Sequence, residues 1–160
     1  MHLAQLNVAR LHAPIDDPRI ADFVANLEPV NALAEASPGY VWRLQDDSGD
    51  ATHIRAFEDE LMIVNLTVWR SVEALADFVF RTGHIELLRR RREWFEAAIE
   101  PTTCLWWIPE GTRPDTADAL ARLEHLRAHG PTPTAFTFRH RFEPGSQAGA
   151  AGADLDTCPA

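Results

Sequence analysis

His84, Asn7 and Asn65 are the side chains whose types and settings point most directly to chemistry. An imidazole titrates near neutrality and can act as a general acid or base, or as a metal ligand. His84 lies in an apolar and arginine-rich stretch beside Gly83, so a packed histidine at a helix break is the other account of it. A buried amide must find partners, because leaving it unpaired costs about 1–3 kcal/mol. Asn7 and Asn65, expected on neighbouring strands, can therefore orient an oxygenated substrate, or either can bond a side chain across the sheet. His125 and His129 stand one helical turn apart, a spacing that lets two imidazoles share a metal, but Leu126 takes the place of the glutamate of HExxH and no third ligand is near.

The five tryptophans, Trp42, Trp69, Trp94, Trp106 and Trp107, offer large apolar area with one N–H each, suited to an aromatic pocket, an interface or core packing. Successive strand residues face opposite ways, so only one of Trp106 and Trp107 can face an interior. Trp69, Phe78 and Trp106 are the expected pocket walls. Arg89 to Arg92 spread around a helix at about 100° per residue and make no single basic stripe. Most of them can pair with Glu86, Glu93 and Glu96, while Arg91, two turns from His84, is placed to reach a substrate carboxylate.

Absences narrow the chemistry further. All 15 basic residues are arginine, so no Schiff base or lysine nucleophile exists in the chain. The formal charge of −9 argues against nucleic acid as a partner. Cys104 falls in an apolar run and Cys158 in the last three residues, a pattern that fits neither a disulfide framework nor a CxxC metal site. No apolar run approaches the ~20 residues of a membrane span, and the N-terminal residues do not read as a signal peptide; a cytoplasmic protein is expected.

The elements that must position these residues follow from periodicity. Leu3–Leu11 alternates as a strand, with Leu6 and Val8 on one side and Gln5 and Asn7 on the other. Asp17-Pro18 opens a helix that Pro29 is expected to kink or divide, and Tyr40–Leu44 reads as a second strand followed by a loop over Asp46–Thr52. Leu61–Trp69, rich in β-branched residues, is the strongest strand. Ser71 caps a helix that Gly83 interrupts before a second segment, His84–Ala98. Thr102–Ile108 is a strand, Asp115–His129 a helix, and Ala135–Phe142 a last strand with His140 buried beside Phe138 and Phe142. Residues 1–144 are expected to form one domain, and the Gly/Ala-rich tail 145–160 to be disordered.

The order β-α-β-β-α-β, then α-β, predicts an α+β fold: a ferredoxin-like split βαβ sheet with helices on one face. The other face carries large apolar side chains, and packing two sheets face to face, as a homodimer forming an α/β barrel, is the simplest way to cover it.

Leu105-Trp106-Trp107-Ile108-Pro109-Glu110-Gly111, Arg113-Pro114, Ala119, Arg122-Leu123, Leu126 and Gly130-Pro131-Thr132 through Ala135-Phe136-Thr137-Phe138 form a pattern that resembles a bacterial family of unknown function. The resemblance runs from Leu3 to about Phe142. It implies the dimeric α/β-barrel superfamily, which includes antibiotic-biosynthesis monooxygenases, haem-degrading monooxygenases and muconolactone isomerases. A narrower stretch, Val64 to Ser71 with Ala74-Leu75, Asp77-Phe78 and His84, is similar to the small haem-degrading enzymes, and Asn7 matches their site asparagine. That likeness implies haem held by His84 as the metal ligand. Phe78 stands where those enzymes have tryptophan, and His84 comes about one turn early.

Two main functions are expected. One is a small-molecule enzyme, monooxygenase-like or proton-shuttling as an isomerase or cyclase of secondary metabolism, acting on an aromatic or polyketide-like substrate without a required cofactor. His84, Asn7 and Asn65 are then catalytic, and Trp69, Phe78, Arg91 and Trp106 bind the substrate. The other is the haem enzyme. A non-enzymatic ligand-binding dimer is the third alternative.

Overall fold

The computed structural model describes residues 1–146. Its strands are β1 (His2–Arg10), β2 (Tyr40–Arg43), β3 (Met62–Trp69) and β4 (Thr103–Ile108), and its helices α1 (Ala21–Ala36), α2 (Val72–Arg81), α3 (His84–Arg90) and α4 (Thr116–His129). The four strands form one antiparallel sheet in the order β2-β3-β1-β4, which is the ferredoxin-like order. Cys158 and all but the first two residues of the tail 145–160 lie outside the described residues.

Period-two alternation along β1 assigns the two faces. Ala4, Leu6 and Val8 share one buried cluster with Val64, Leu66, Val68, Cys104 and Trp106. Leu3 and Leu11 point the other way, into clusters with α2 residues Val72, Leu75 and Phe78 and with Ile20 and Trp94. The helices of the split βαβ unit, α1 and α2, thus lie on the second face together with α3. The C-terminal extension adds α4 to the first face through Ala119, Leu123 and Leu126, and the loop after β2 adds Leu44, Ile54 and Phe57. This is the face for which a second copy was expected as cover. It is closed within one chain, so its burial requires no partner.

Local chemistry explains the element ends. Asp17 accepts from the Arg19 N–H, Ser71 Oγ from Ala74 N–H at 3.1 Å, and Asp115 from Asp118 N–H at 2.8 Å, each satisfying a donor that the first turn leaves free. The Asp17 carboxyl, bonded to the Arg19 side chain and backbone, is held down at about 2. Gly39 has a φ of +85°, and a Cβ there would stand 2.5 Å from the Ala74 Cβ, so only glycine allows α2 to seat against this turn.

Three expectations require correction. Pro29 neither divides nor ends α1, which runs unbroken to Ala36. The helix from His84 stops at Arg90 instead of Ala98. A short 3-10 turn follows, and the backbone swings back to β1, where His12 N–H donates to Trp94 O at 2.8 Å and Glu96 N–H to Arg10 O at 2.9 Å. Burying Trp94 against Leu11, Ala13 and Ile20 accounts for the early stop. Ala135–Phe142 is not a strand: Phe136 exchanges two 2.8 Å bonds with Leu105, after which Thr137 starts a turn, and His140 is exposed.

Candidate functional site

Register brings the polar residues of the helix-covered face together. Asn7 on β1 lies directly between Asn65 on β3 and Thr103 on β4. One pleat along, Gln5 lies beside Thr67, and Thr67 beside Arg43 of β2. Six polar side chains therefore form two rows across a sheet face that would ordinarily be apolar beneath helices. Above them is a cavity of about 410 Å³, walled by Phe23, Leu27 and Val30 of α1, Phe78 and Val79 of α2, and His84 and Leu87 of α3. An apolar vault over a polar floor is the usual construction of a small-molecule site.

Hydrogen bonds fix the floor. Asn7 Nδ2 donates to Thr103 Oγ1 at 2.9 Å and toward the Thr102 carbonyl at 3.4 Å, which turns its Oδ1 to the cavity. Thr67 Oγ1 donates to Gln5 Oε1 at 2.7 Å and accepts from Trp69 Nε1 at 2.9 Å. Asn65 is exposed to the cavity. Arg43 is held at the edge by Glu35 at 2.8 Å and the Gly49 carbonyl at 2.8 Å.

An aromatic column positions His84. Tyr40 meets Trp69 edge-on at 5.6 Å, Trp69 stacks on Phe78 at 5.2 Å, and Phe78 packs against the His84 ring at 4.9 Å. His84 Nδ1 lies 3.4 Å from the Val79 carbonyl oxygen, an arrangement that favours the proton on Nδ1 and leaves Nε2 its lone pair. Burial pushes the imidazole below its ordinary value, partly offset by the Val79 carbonyl, so the ring is neutral at pH 7. A neutral imidazole at the wall of an apolar cavity can take up a proton.

Of the residues singled out in the sequence, Asn7, Asn65, Phe78, His84, Arg91 and Trp94 line this one cavity. Arg91 sits at its rim with no carboxylate partner among the described residues, whereas Arg89 pairs with Glu86 at 2.6 Å and Arg90 with Glu93 and Asp22. Two pocket walls are corrected. Trp69 is fully buried behind Phe78 and acts on the floor only through Thr67. Trp106 lies on the opposite face, fully buried under α4, with the Arg122 guanidinium 5.4 Å from its ring centroid. The partner positions Ala4 and Leu6 share its side of the pleat, so it cannot reach the cavity.

His125 and His129 do share a helix face, their rings 4.6 Å apart, with His125 Nε2 2.9 Å from Thr132 Oγ1. Among the described residues no group of three His, Cys, Asp or Glu is placed to hold a metal ion. Cys104 is core, its thiol pushed up to about 12 by burial. Among the described residues no helix is long and apolar enough to cross a membrane. Gln5, Thr67, Thr103 and Arg43 were not singled out as site residues, although Gln5 shares the alternation of Asn7, and Thr67 that of Asn65.

Comparison with known proteins adds a family and some likenesses of fold. The family described as "Domain of unknown function (DUF3291)" matches residues 2–151. No curated protein matches. The chain is similar to SnoaB, a cofactor-independent oxygenase from Streptomyces nogalater, at 16% identity over 71% of this chain and 98% of that one, with a TM-score of 0.45. It is also similar to PA3566 from Pseudomonas aeruginosa, at 16% identity over 65% and 88% of the two chains and a TM-score of 0.43. A putative antibiotic biosynthesis monooxygenase from Chloroflexus aurantiacus J-10-fl gives 20% identity over 71% and 98%, with a TM-score of 0.42. At such identities and TM-scores none of them bears on the chemistry of the site.

Proposed function

The chain belongs to the DUF3291 family, and from that premise we propose that it is a small-molecule enzyme, monooxygenase-like or proton-shuttling, acting on an aromatic or polyketide-like substrate in the cavity beneath α1, α2 and α3. The observation that carries this reading is the pairing of a polar floor with a neutral His84. A sheet face under helices gains stability from apolar side chains, at roughly 1.5–3 kcal/mol for each large one buried. Gln5, Asn7, Asn65, Thr67 and Thr103 forgo that gain where α1, α2 and α3 leave room for a ligand.

In this reading His84 Nε2 removes a proton from a phenol or enol, Asn65 holds the oxygen left behind, and Asn7 Oδ1 accepts from a second hydroxyl of the substrate. Phe78 and the α1 side chains exclude water. The resulting anion either takes the proton back at carbon, or reacts at that carbon with dioxygen to a peroxide that regains the proton from His84 and loses water to leave a carbonyl. Arg91 at the rim binds a substrate carboxylate. The test is oxygen uptake and product analysis with polyhydroxylated naphthalenes. His84→Ala should lower turnover by about 10²-fold or more; turnover untouched by replacing His84, Asn7 and Asn65 together would overturn the assignment. Pairing of two copies belongs to the same proposal, through a surface other than the face closed by α4. Sedimentation velocity at micromolar concentration decides it, a single-copy boundary removing the homodimer.

The free Nε2 of His84 favours a second reading, in which His84 would hold a haem iron and Arg91 would meet a propionate. Haem held by these residues would supply the redox chemistry with oxygen. Haem titration checks it: a Soret band that His84→Ala abolishes supports it, and an unchanged spectrum removes it.

A further inference from the structure

Three fully or nearly buried side chains, Trp69, Thr67 and Gln5, form a chain of hydrogen bonds that ends at the cavity and that substrate binding as described above does not use. Its direction is fixed at one end. An indole N–H can only donate, so Thr67 Oγ1 accepts from Trp69, and the hydroxyl's own proton is free to go to Gln5. The Gln5 atom that faces Thr67 is the carbonyl Oε1, which accepts this proton at 2.7 Å, and the amide nitrogen turns away from it. Gln5 lines the cavity, and among the described residues its Nε2 has no hydrogen-bond partner. Neighbouring Asn7 is set the opposite way, its Nδ2 committed to Thr103 and its Oδ1 to the cavity. The two amides of β1 thus present a donor and an acceptor, each locked by a hydroxyl on the adjacent strand.

We propose that Gln5 Nε2 is the hydrogen-bond donor to a carbonyl or phenolate oxygen of the ligand, with Thr67 and Trp69 as the positioning residues that hold the amide in that sense. The proposal rests on the cavity being the binding site for an aromatic molecule, and it narrows the ligand class to one with an oxygen acceptor at the Gln5 end. A donor held in place before binding avoids the cost of ordering it on binding. It also discriminates, because a ligand lacking the oxygen leaves the N–H without a partner in a dry site.

The probes are 1-acetonaphthone and 1-ethylnaphthalene, which share the ring and a two-carbon side chain and differ in the carbonyl oxygen. Binding to the full chain is followed by tryptophan fluorescence. The expected result is a roughly tenfold preference for the ketone in the unmodified protein, one neutral hydrogen bond being worth about 1–1.5 kcal/mol. Gln5→Leu should remove that preference while the alkyl probe still binds. Thr67→Val should reduce it several-fold, and Thr67→Ser, which keeps the hydroxyl, should restore it; a purely structural role for Thr67 would move both probes together. Should Gln5→Leu fail to fold, the Thr67 pair carries the test. Equal binding of the two probes by the unmodified protein, or a preference that survives both Gln5→Leu and Thr67→Val, overturns the proposal and leaves the cavity reading standing. Binding of neither probe overturns the cavity reading and this inference with it.

Discussion

The two faces of the sheet are built from the same strands and differ by one residue of phase. On β1, Ala4, Leu6 and Val8 are buried against α4 and the loop after β2, while Gln5 and Asn7 lie under α1, α2 and α3 and line a cavity. The closed face is apolar across β1, β3 and β4, and its helix sits directly on the strands through Ala119, Leu123 and Leu126. The cavity face has comparable apolar patches at its two ends, around Trp69 and Phe136 and around Leu11 and Trp94, with the polar rows between them. Stability and binding are thereby divided between faces. One side of each strand holds the fold together, and the other gives up packing to hold hydrogen-bonding groups in a fixed array.

The sharpest way to break this comparison is to truncate one side chain on each face. Trp106→Ala should lower stability by about 3–5 kcal/mol, read as the urea midpoint, because a fully buried indole leaves a cavity that α4 cannot fill. Asn65→Leu, on the cavity side of β3, should change stability by less than about 0.5 kcal/mol and weaken binding of a hydroxylated naphthalene about tenfold. Equal destabilisation by the two substitutions would mean that the polar floor is structural after all.

Helix caps sharpen the comparison at a smaller scale. Ser71→Ala should cost about 1 kcal/mol and also weaken ligand binding, since α2 carries Phe78 and, through it, the His84 ring. Asp115→Ala should cost about the same in thermal unfolding and leave binding unchanged, because α4 touches only the closed face.

The smallest effect is in pH. Since burial holds the His84 imidazole below its unfolded value of about 6.5, the unfolded chain takes up the proton first as the pH falls. Stability should therefore be fully present above about pH 6.5, decline below it, and level off once the folded form is also protonated. In His84→Gln this component should vanish from the pH dependence of the unfolding free energy, whereas a replacement on the closed face should leave it in place. A profile identical in the two proteins would show that His84 is free to take a proton from solvent.

Much of this was open to inspection in the sequence. Alternation put Gln5 with Asn7 and Leu6 with Val8, and the Ser71 and Asp115 caps marked their helices, because these features depend on neighbours one to four residues away. The strand order followed from the order of elements, and the types of His84, Asn7 and Asn65 marked them as candidate site residues without telling which face lines a cavity. The reach of Ala135–Phe142 and of the helix after His84 did not follow, since alternation and helical spacing persist there while burial of Trp94 and the Phe136 pairing decide the path. Sequence alone determined which residues share a face of their own strand. Only tertiary structure decided which residues meet across strands and which face stays open. Register set Asn7 between Asn65 and Thr103 and Gln5 beside Thr67, and the placing of α4 closed the side of Trp106; these are long-range contacts that no local pattern encodes.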